Sequence, residues 1–205
     1  MKTTLSAFKL PILAVAITFF TSSCELFKKD DPEPLKNEVS YNNTKYTLDE
    51  SLMIKYGGYS LFGDENTHVV NHFYFANGNI DYNTTTGEVD EINGSFAVFA
   101  EVASASTSDF KTGAFNYTDG SNDNSLNDTQ LEAKYKNKSV FSVVEVYIDN
   151  NGNGILSDEV PVLANGGTIN VSGSNNSYAL EYNLTLANGK TVKGKTASTF
   201  SQIGG

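Results

Sequence analysis

The sequence predicts an all-β fold, a single antiparallel β-sandwich, with a lipocalin-like β-barrel as the alternative architecture. From residue 37 onward, apolar residues recur at every second position in many short segments, whereas helical periodicity is almost absent. Glycine and asparagine separate these segments, as they do at the turns of antiparallel sheets. Residues 37–205 show no break in composition, and a chain of ~165 residues suits one all-β domain.

The alternation predicts about eleven strands between residues 38 and 200. The first two form a hairpin that turns at Asn42-Asn43. Residues 140–149 are apolar on both faces, which is typical of a strand near the centre of a sheet. In chain order the predicted strands are 38–41, 45–48, 68–76, 95–103, 114–117, 130–135, 140–149, 160–163, 168–172, 178–186 and 190–200.

The pattern of apolar residues determines the strand register of the last hairpin. A two-residue loop at Asn188-Gly189 would pair Leu184 with Lys193 and place a lysine against an apolar stripe. A three-residue loop, with Gly189 in the left-handed region, pairs Leu184 with Val192 instead. Because a slip of one residue exchanges the two faces of a strand, the pattern predicts the three-residue loop.

The first 23 residues have the pattern of an export signal. Lys2 and Lys9 flank the start of an uncharged apolar stretch at residues 10–20, and small residues follow it. A membrane-spanning helix needs about 20 apolar residues, so this stretch suits a cleaved signal better than a retained anchor or a buried helix.

Cys24 follows directly and is the chain's single cysteine. A signal that ends at such a residue resembles that of bacterial lipoproteins, in which the new N-terminal cysteine is acylated on sulfur and nitrogen. Cys24 is therefore predicted to anchor the protein in a lipid bilayer, because several acyl chains hold a protein durably.

Residues 24–36 are rich in charge and proline, which predicts a flexible tether. Residues 28–31 (Lys-Lys-Asp-Asp) resemble the signal that sends some Gram-negative lipoproteins to the surface of the outer membrane. This predicts a surface-exposed location, with the periplasmic face and a plain solvated tether as alternatives.

The charge balance and the single cysteine exclude other classes of function. The chain has 24 acidic residues against 14 lysines and no arginine, whereas a nucleic-acid-binding surface needs a basic face. One cysteine forms neither an internal disulfide nor a cysteine-rich zinc site. The motifs GxSxG, HExxH and GxGxxG are also absent from the sequence, and no GxxxxGK motif stands between a predicted strand and a helix, where it would cradle a phosphate.

Four stretches together resemble a known class of protein. These are VSYNNTKYTLDESLMIKYG followed by NHFYF, the segment TGAFNY, and the C-terminal GGTINVSGSNNSYALEYNLTLANGKTVKGK. They are similar to lipoproteins of unknown function from Gram-negative anaerobes and gliding bacteria, which join an acylated cysteine to one β-rich domain. The resemblance covers most of residues 38–200 and implies an envelope lipoprotein; it implies no catalytic residue.

A candidate calcium loop follows the strand predicted at 140–149. Alternating oxygen side chains followed by Gly154 match the first half of a calcium-binding loop. In the second half, the carboxylates come one or two places before the twelfth position, so we expect a weak site; an ion-free Asn/Gly connection is the alternative. The candidate ligands are Asp149, Asn151, Asn153, the carbonyl of Ile155, Ser157, Asp158 and Glu159.

Aromatic and histidine side chains give further candidates. Tyr56, Tyr59 and Phe62 are predicted to present aromatic faces to a sugar, with core packing as the alternative. His68 and His72 share one face of a strand about 13 Å apart, too far to bind one metal ion, so we interpret them as hydrogen-bonded strand residues.

Taken together, these features predict a non-catalytic binding or structural module on the outer membrane, with glycan capture as its specific form. Its partners would be the bilayer, a glycan or an envelope protein. Two alternatives remain open: a hydrolase that uses carboxylates from several loops, and a small barrel that binds an apolar ligand.

Overall fold

The computed structural model describes residues 37–61, 66–119, 123–200 and 202–203. The predicted signal 1–23, the acylated Cys24 with its tether 24–36, and Phe62 lie outside these residues. In the described part of the chain, no helix is both long and apolar enough to cross a membrane.

The described residues form thirteen strands, one α-helix and one short 3-10 helix. In chain order they are β1 (Glu38–Tyr41), β2 (Thr44–Thr47), β3 (Glu50–Tyr59), β4 (His68–Ala76), β5 (Ile80–Asn83), β6 (Glu88–Ile92), β7 (Phe96–Ala105), β8 (Gly113–Tyr117), α1 (Asp128–Tyr135), β9 (Val140–Ile148), the 3-10 helix (Leu156–Asp158), β10 (Val162–Ser174), β11 (Ser177–Leu186), β12 (Thr191–Thr199) and β13 (Gln202–Ile203).

Eleven of these strands form one sheet in the order β13-β3-β4-β7-β9-β8-β10-β11-β12-β1-β2, and β5 pairs with β6 in a second, small sheet. The prediction of an all-β fold is therefore confirmed. Neighbouring strands are antiparallel except in two pairs, β8 with β9 and β13 with β3, which are parallel.

The large sheet curls so that its two halves face each other across one core. Phe75 of β4 contacts Tyr182 of β11 with ring centroids 6.4 Å apart, although four strands separate β4 from β11 in the sheet. Ser51 of β3 likewise hydrogen-bonds Ser198 of β12 at 2.5 Å. The layers face each other as in a sandwich, while the strands between them remain joined in one sheet.

The core between the layers contains the apolar side chains that the alternating pattern predicts to be buried. In β11, Tyr178, Leu180, Tyr182, Leu184 and Leu186 are buried, while most of the residues between them are exposed. Burying one such side chain contributes about 1.5–3 kcal/mol, so the alternating stripe selects which face of the strand turns inward.

The predicted register of the last hairpin is confirmed. Leu184 pairs with Val192, and Gly189 adopts the left-handed conformation with φ +77°. Further along, Tyr182 pairs with Gly194, where β1 lies on the other side of β12. A Cβ atom at Gly194 would lie 2.2 Å from the carbonyl oxygen of Glu38, so only glycine allows this approach.

The prediction of a strand at residues 130–135 is wrong, because this segment belongs to helix α1 (Asp128–Tyr135). Asn127 and Gln130 form a capping box, in which each side chain accepts a hydrogen bond from the other's backbone N–H at 3.0 Å. Leu131 and Tyr135, four residues apart, then pack together against the sheet beside Val140. The alternation of Leu131, Ala133 and Tyr135 imitated a strand, but the capping box determines the local structure.

The predictions do not include strands β3, β5, β6 and β13, and the predicted strands 160–163 and 168–172 join in one strand, β10. Gly166 and Gly167 suggested a break, yet they lie inside β10 next to a bulge. Gly167 has φ +105°, and a Cβ there would lie 2.1 Å from the carbonyl oxygen of Asn183. The glycine permits a close pairing with β11.

Candidate ligand-binding site

A cavity of about 940 Å³ opens at one end of the curled sheet, between its two layers. The end of β3, the start of β4, the turn between β10 and β11, and the loop 106–112 surround it. We call it the mouth cavity. Its volume falls in the range of small-molecule sites, which often lie in the mouths of curled sheets and barrels.

Asn71 lines the mouth cavity from the inner face of β4. Its neighbours on that face are Val69 and Phe73, and Asn71 is itself only 1% exposed. Its Nδ2 lies 3.9 Å from the sulfur of Met53, while its Oδ1 has no hydrogen-bond partner among the described residues. An unsatisfied buried acceptor costs about 1–3 kcal/mol, so Asn71 Oδ1 is an acceptor that a ligand hydroxyl would satisfy.

Lys55 is the cross-strand partner of Asn71 on β3. Its ammonium donates a hydrogen bond at 2.7 Å to the side-chain oxygen of Asn176 in the turn between β10 and β11. This contact spans the cavity from one layer of the sheet to the other. A bulge at Tyr56 and Gly57 follows directly, and Gly57 takes the φ of +68° that the bulge requires.

Phe110 and Tyr178 give the mouth cavity an aromatic wall. Their ring centroids lie 5.8 Å apart at an angle of 78°, and the ring of Phe110 also stacks on Phe115 at 5.7 Å. Burial raises the pKa of the Tyr178 phenol, which a backbone hydrogen bond from Asn176 partly offsets. The phenol therefore stays neutral, and packing holds both rings in place.

Three charged side chains line the cavity: Lys55, Lys111 and Asp109. The loop that carries the last two is fixed by the buried hydroxyl of Ser104, which accepts a hydrogen bond from the backbone N–H of Lys111 at 3.2 Å. Asp109 accepts a hydrogen bond at 3.1 Å from Ser108. Among the described residues, acidic side chains outnumber lysines by 18 to nine, whereas in the cavity lining the lysines outnumber the acidic side chain.

Tyr56 and Tyr59, predicted to bind a ligand, are 53% and 48% exposed on β3. Tyr56 lies on the opposite face of its strand from the cavity, where its ring packs on His72 with centroids 4.4 Å apart. The cavity is lined instead by Lys55 and Gly57 of the same strand. The structure therefore places the two tyrosines beside the mouth cavity and not in it.

The two histidines occupy separate environments on β4, and their hydrogen bonds fit the interpretation as strand residues. Both ring nitrogens of His68 have partners, Thr67 Oγ1 at 2.8 Å and the carbonyl oxygen of Lys138 at 3.0 Å. His72 Nε2 lies 2.8 Å from a carboxylate oxygen of Glu101, and its Nδ1 has no partner among the described residues.

In the candidate calcium loop, side-chain oxygens point back to the loop's own amides. Asp149 accepts hydrogen bonds from Gly152 N–H at 2.7 Å and Gly154 N–H at 3.2 Å. Asn151 and Asn153 each accept one from the backbone two residues later, at 2.8 Å. These bonds give the loop its turns.

The second half of the loop uses its oxygens differently. Glu159 accepts hydrogen bonds from Asn150 N–H at 3.2 Å and Asn151 N–H at 3.3 Å, while Ser157 accepts one from Ile92 N–H at 3.3 Å. The backbone of Ile155 bridges to β6 beyond its end, and Asp158 is exposed. Within the described ranges, no three side chains of His, Cys, Asp or Glu converge as a metal site would require.

A second, smaller cavity of about 200 Å³ lies between the outer face of the large sheet and β6. Asp90, Glu91 and Glu145 line it together with Tyr74 and Tyr147. The Tyr147 hydroxyl donates a hydrogen bond to Glu145. Burial, followed by this contact with a carboxylate, raises the pKa of the Tyr147 phenol. Three acidic residues from two separate segments thus line one cavity, which we call the outer cavity.

No protein-family model, no curated protein and no solved structure matches this chain.

Proposed function

We propose that this protein is a non-catalytic binding module that captures a saccharide in the mouth cavity. The observation that carries the proposal is Asn71, a buried residue that lines the cavity and whose Oδ1 has no hydrogen-bond partner among the described residues. A folded protein retains such an acceptor at a cost of about 1–3 kcal/mol, which a donor on a ligand would recover.

The rest of the lining supports a polar ligand with an apolar face. Lysine, serine, threonine and asparagine side chains supply hydrogen-bonding groups, and the rings of Phe110 and Tyr178 supply a fixed aromatic surface. A pyranose ring combines hydroxyl groups on its rim with C–H groups on its faces, so it matches both parts of this lining. A wholly apolar ligand would leave the polar groups without partners.

We propose further that the module is displayed at the outer membrane by acylated Cys24. The export-signal pattern before Cys24, the charged tether after it and the Lys-Lys-Asp-Asp segment support this location. An envelope protein in place of a glycan, and the periplasmic face in place of the cell surface, remain the competing versions of this proposal.

A weak calcium ion in the loop at Asp149 is a separate part of the proposal. The oxygens of Asp149, Asn151 and Asn153 support it, because they alternate along one hydrogen-bonded loop. We expect its affinity in the range of about 10⁻⁴–10⁻³ M that is usual for extracellular modules.

A hydrolase is the second candidate function, and the outer cavity is the observation that favours it. Asp90, Glu91 and Glu145 are the carboxylates that such a reaction would recruit, whereas the mouth cavity has one carboxylate in its described lining. A hydrolase would release reducing ends from a polysaccharide, and the Glu145→Gln variant would lose that activity.

The test of the binding function is calorimetric titration of the full-length protein with neutral and acidic oligosaccharides. We expect binding in the micromolar-to-millimolar range, and its loss in the Asn71→Leu variant. Asn170→Leu, which changes an exposed asparagine on β10, is the matched control and should bind normally. If no oligosaccharide binds at millimolar concentration, the proposed function is wrong.

A further inference from the structure

We propose that the mouth cavity selects saccharides that carry a carboxylate, as uronic acids do. This inference rests on the proposed function and names its ligand class. It starts from the charge of the lining, which has two lysines and one acid, whereas the described residues as a whole carry 18 acids and nine lysines. An acidic protein repels anions in general, so a locally positive cavity directs an anion to one place.

The first positive group is Lys55, and its ammonium lacks a counter-charge in the described part of the chain. Its hydrogen bond goes to the neutral amide oxygen of Asn176. By contrast, Lys45 and Lys134 each form an ion pair, at 2.7 Å with Glu38 and at 2.5 Å with Asp123. A partly buried ammonium without a carboxylate is stabilised when an anionic ligand supplies one.

The second positive group is Lys111. Its side chain is exposed and forms no ion pair with the described residues, while its backbone is held by Ser104. Lys111 therefore presents its charge from a fixed loop on one side of the cavity, and Lys55 presents its own from β3 on another side. A carboxylate bound in the cavity would interact favourably with both ammonium groups.

The uncharged part of the lining indicates why the anion should be a sugar acid. Asn71 Oδ1 is an unpaired hydrogen-bond acceptor among the described residues and requires a donor, which a sulfate ion or a deprotonated carboxylate without hydroxyl groups does not provide. The rings of Phe110 and Tyr178 require an apolar face. A uronic acid residue has a hydroxyl donor, C–H faces and a carboxylate on one ring, and a cavity of about 940 Å³ has room for a short chain of them.

The experiment compares trigalacturonate with maltotriose, a neutral saccharide of equal length, by calorimetric titration of the full-length protein. We expect trigalacturonate to bind at least about tenfold more tightly at low salt, and the difference to shrink in ~0.5 M NaCl as the charges are screened. A glutamate tripeptide is the third probe and should bind weakly, because it lacks the hydroxyl groups and the pyranose faces.

Two variants test the lysines directly. Lys111→Gln should lower the affinity for trigalacturonate about threefold more than the affinity for maltotriose, because the amide keeps a hydrogen-bond donor while the single exposed charge that is lost contributes modestly. Adding Lys55→Gln, which keeps a donor for Asn176, should increase the loss to about tenfold or more. Lys136→Gln, which changes an exposed lysine on the helix C-terminus away from the cavity, is the matched control.

The outcomes separate the inference from the proposed function. Equal affinity for trigalacturonate and maltotriose, or an equal loss of both in the lysine variants, would overturn the inference and leave saccharide binding intact. Binding of neither saccharide would overturn both. Tighter binding of the glutamate tripeptide than of trigalacturonate would show that the cavity recognises acidic peptides, which also overturns the inference.

Discussion

Tyr182 of β11 and Thr196 of β12 form a hydrogen bond between hydroxyl groups inside the core, with their oxygens 3.0 Å apart. Tyr182 is 2% exposed and Thr196 is fully buried. Burial raises the pKa of the phenol, so Tyr182 stays neutral at any physiological pH. Each hydroxyl satisfies the other, which allows two polar groups to remain in an apolar layer.

We therefore predict that Tyr182→Phe destabilises the protein by about 1–2 kcal/mol, because it leaves the Thr196 hydroxyl buried without its partner. Thr196→Val should cost a similar amount by stranding the phenol. The double variant should cost less than the sum of the two, since it removes both polar groups together. Urea denaturation measures all three, and strictly additive effects would contradict the pairing.

Asn71→Leu should change stability in the opposite direction. The substitution replaces an unsatisfied buried amide by an apolar side chain of similar size, so we expect the free energy of unfolding to rise by about 1–2 kcal/mol. The same variant should lose saccharide binding. Asn170→Leu should change stability by less than about 0.5 kcal/mol, as surface substitutions usually do. A clear loss of stability in Asn71→Leu would show that the amide serves the core.

Two glycines of the last hairpin should respond differently to alanine. Gly189→Ala places a Cβ where nothing lies within 4 Å, so its cost is the left-handed backbone alone, about 1–2 kcal/mol. Gly194→Ala also drives a Cβ to 2.2 Å from the carbonyl oxygen of Glu38, and β1 must move away from β12. We expect Gly194→Ala to lower the melting temperature more than Gly189→Ala; equal effects would argue against the close approach.

The candidate calcium loop gives a thermal prediction. An ion that binds only the folded state with a dissociation constant near ~1 mM stabilises the protein by about 1.4 kcal/mol at ~10 mM calcium. This corresponds to a rise in melting temperature of about 3–5 °C over a sample containing chelator. Magnesium at the same concentration and the Asp149→Asn variant are the controls. Identical melting curves in calcium and in chelator would exclude the ion.

The stability that the contacts between Asp123 and α1 contribute should depend on pH, because the Asp123 carboxyl titrates. Hydrogen bonds from Lys134 and Tyr135 lower the pKa of the Asp123 carboxyl below its ordinary value. The folded state therefore favours the ionised carboxylate, and its contribution to stability is complete above about pH 4. That contribution is lost as the pH falls through the lowered pKa of the folded state.

Denaturation midpoints measured between about pH 2 and pH 6 check the Asp123 prediction. The difference in stability between the wild-type protein and Asp123→Asn should shrink toward the acidic end of this range. Asp128→Asn, which changes an exposed acid in the first turn of the same helix, is the control. A difference that stays constant with pH would rule out the ion pair as the cause.

The sequence predicts the parts of the fold where local pattern and burial agree. The stripe on β11 and its register with β12 follow from alternation, because a one-residue slip would bury Lys193 in place of Val192. Helix α1 was missed because only its capping box, formed by Asn127 and Gln130, distinguished it from a strand.

The candidate site was harder to predict for a physical reason. In β3, the alternation of apolar and polar residues is interrupted at Lys55 and Gly57, because these residues line a cavity and not the core. Asn71 did leave a signal, a polar residue on the inner face of an otherwise apolar strand. The sequence around Phe110 and Lys111 gave no such signal. The loop that carries these two residues comes close to β3 and β4 only because the sheet curls, and the local sequence does not predict this curl.

The pairing of β1 with β12 has a consequence for how the chain folds. Val39 finds its partner, Gly194, almost at the opposite end of the domain, so the first strand to be synthesised cannot dock until nearly the last one exists. Chains dominated by such distant pairings fold in milliseconds to seconds and keep apolar strand edges uncovered in the meantime. A polypeptide cut short before residue 191 would leave that first hairpin without a partner and liable to self-association.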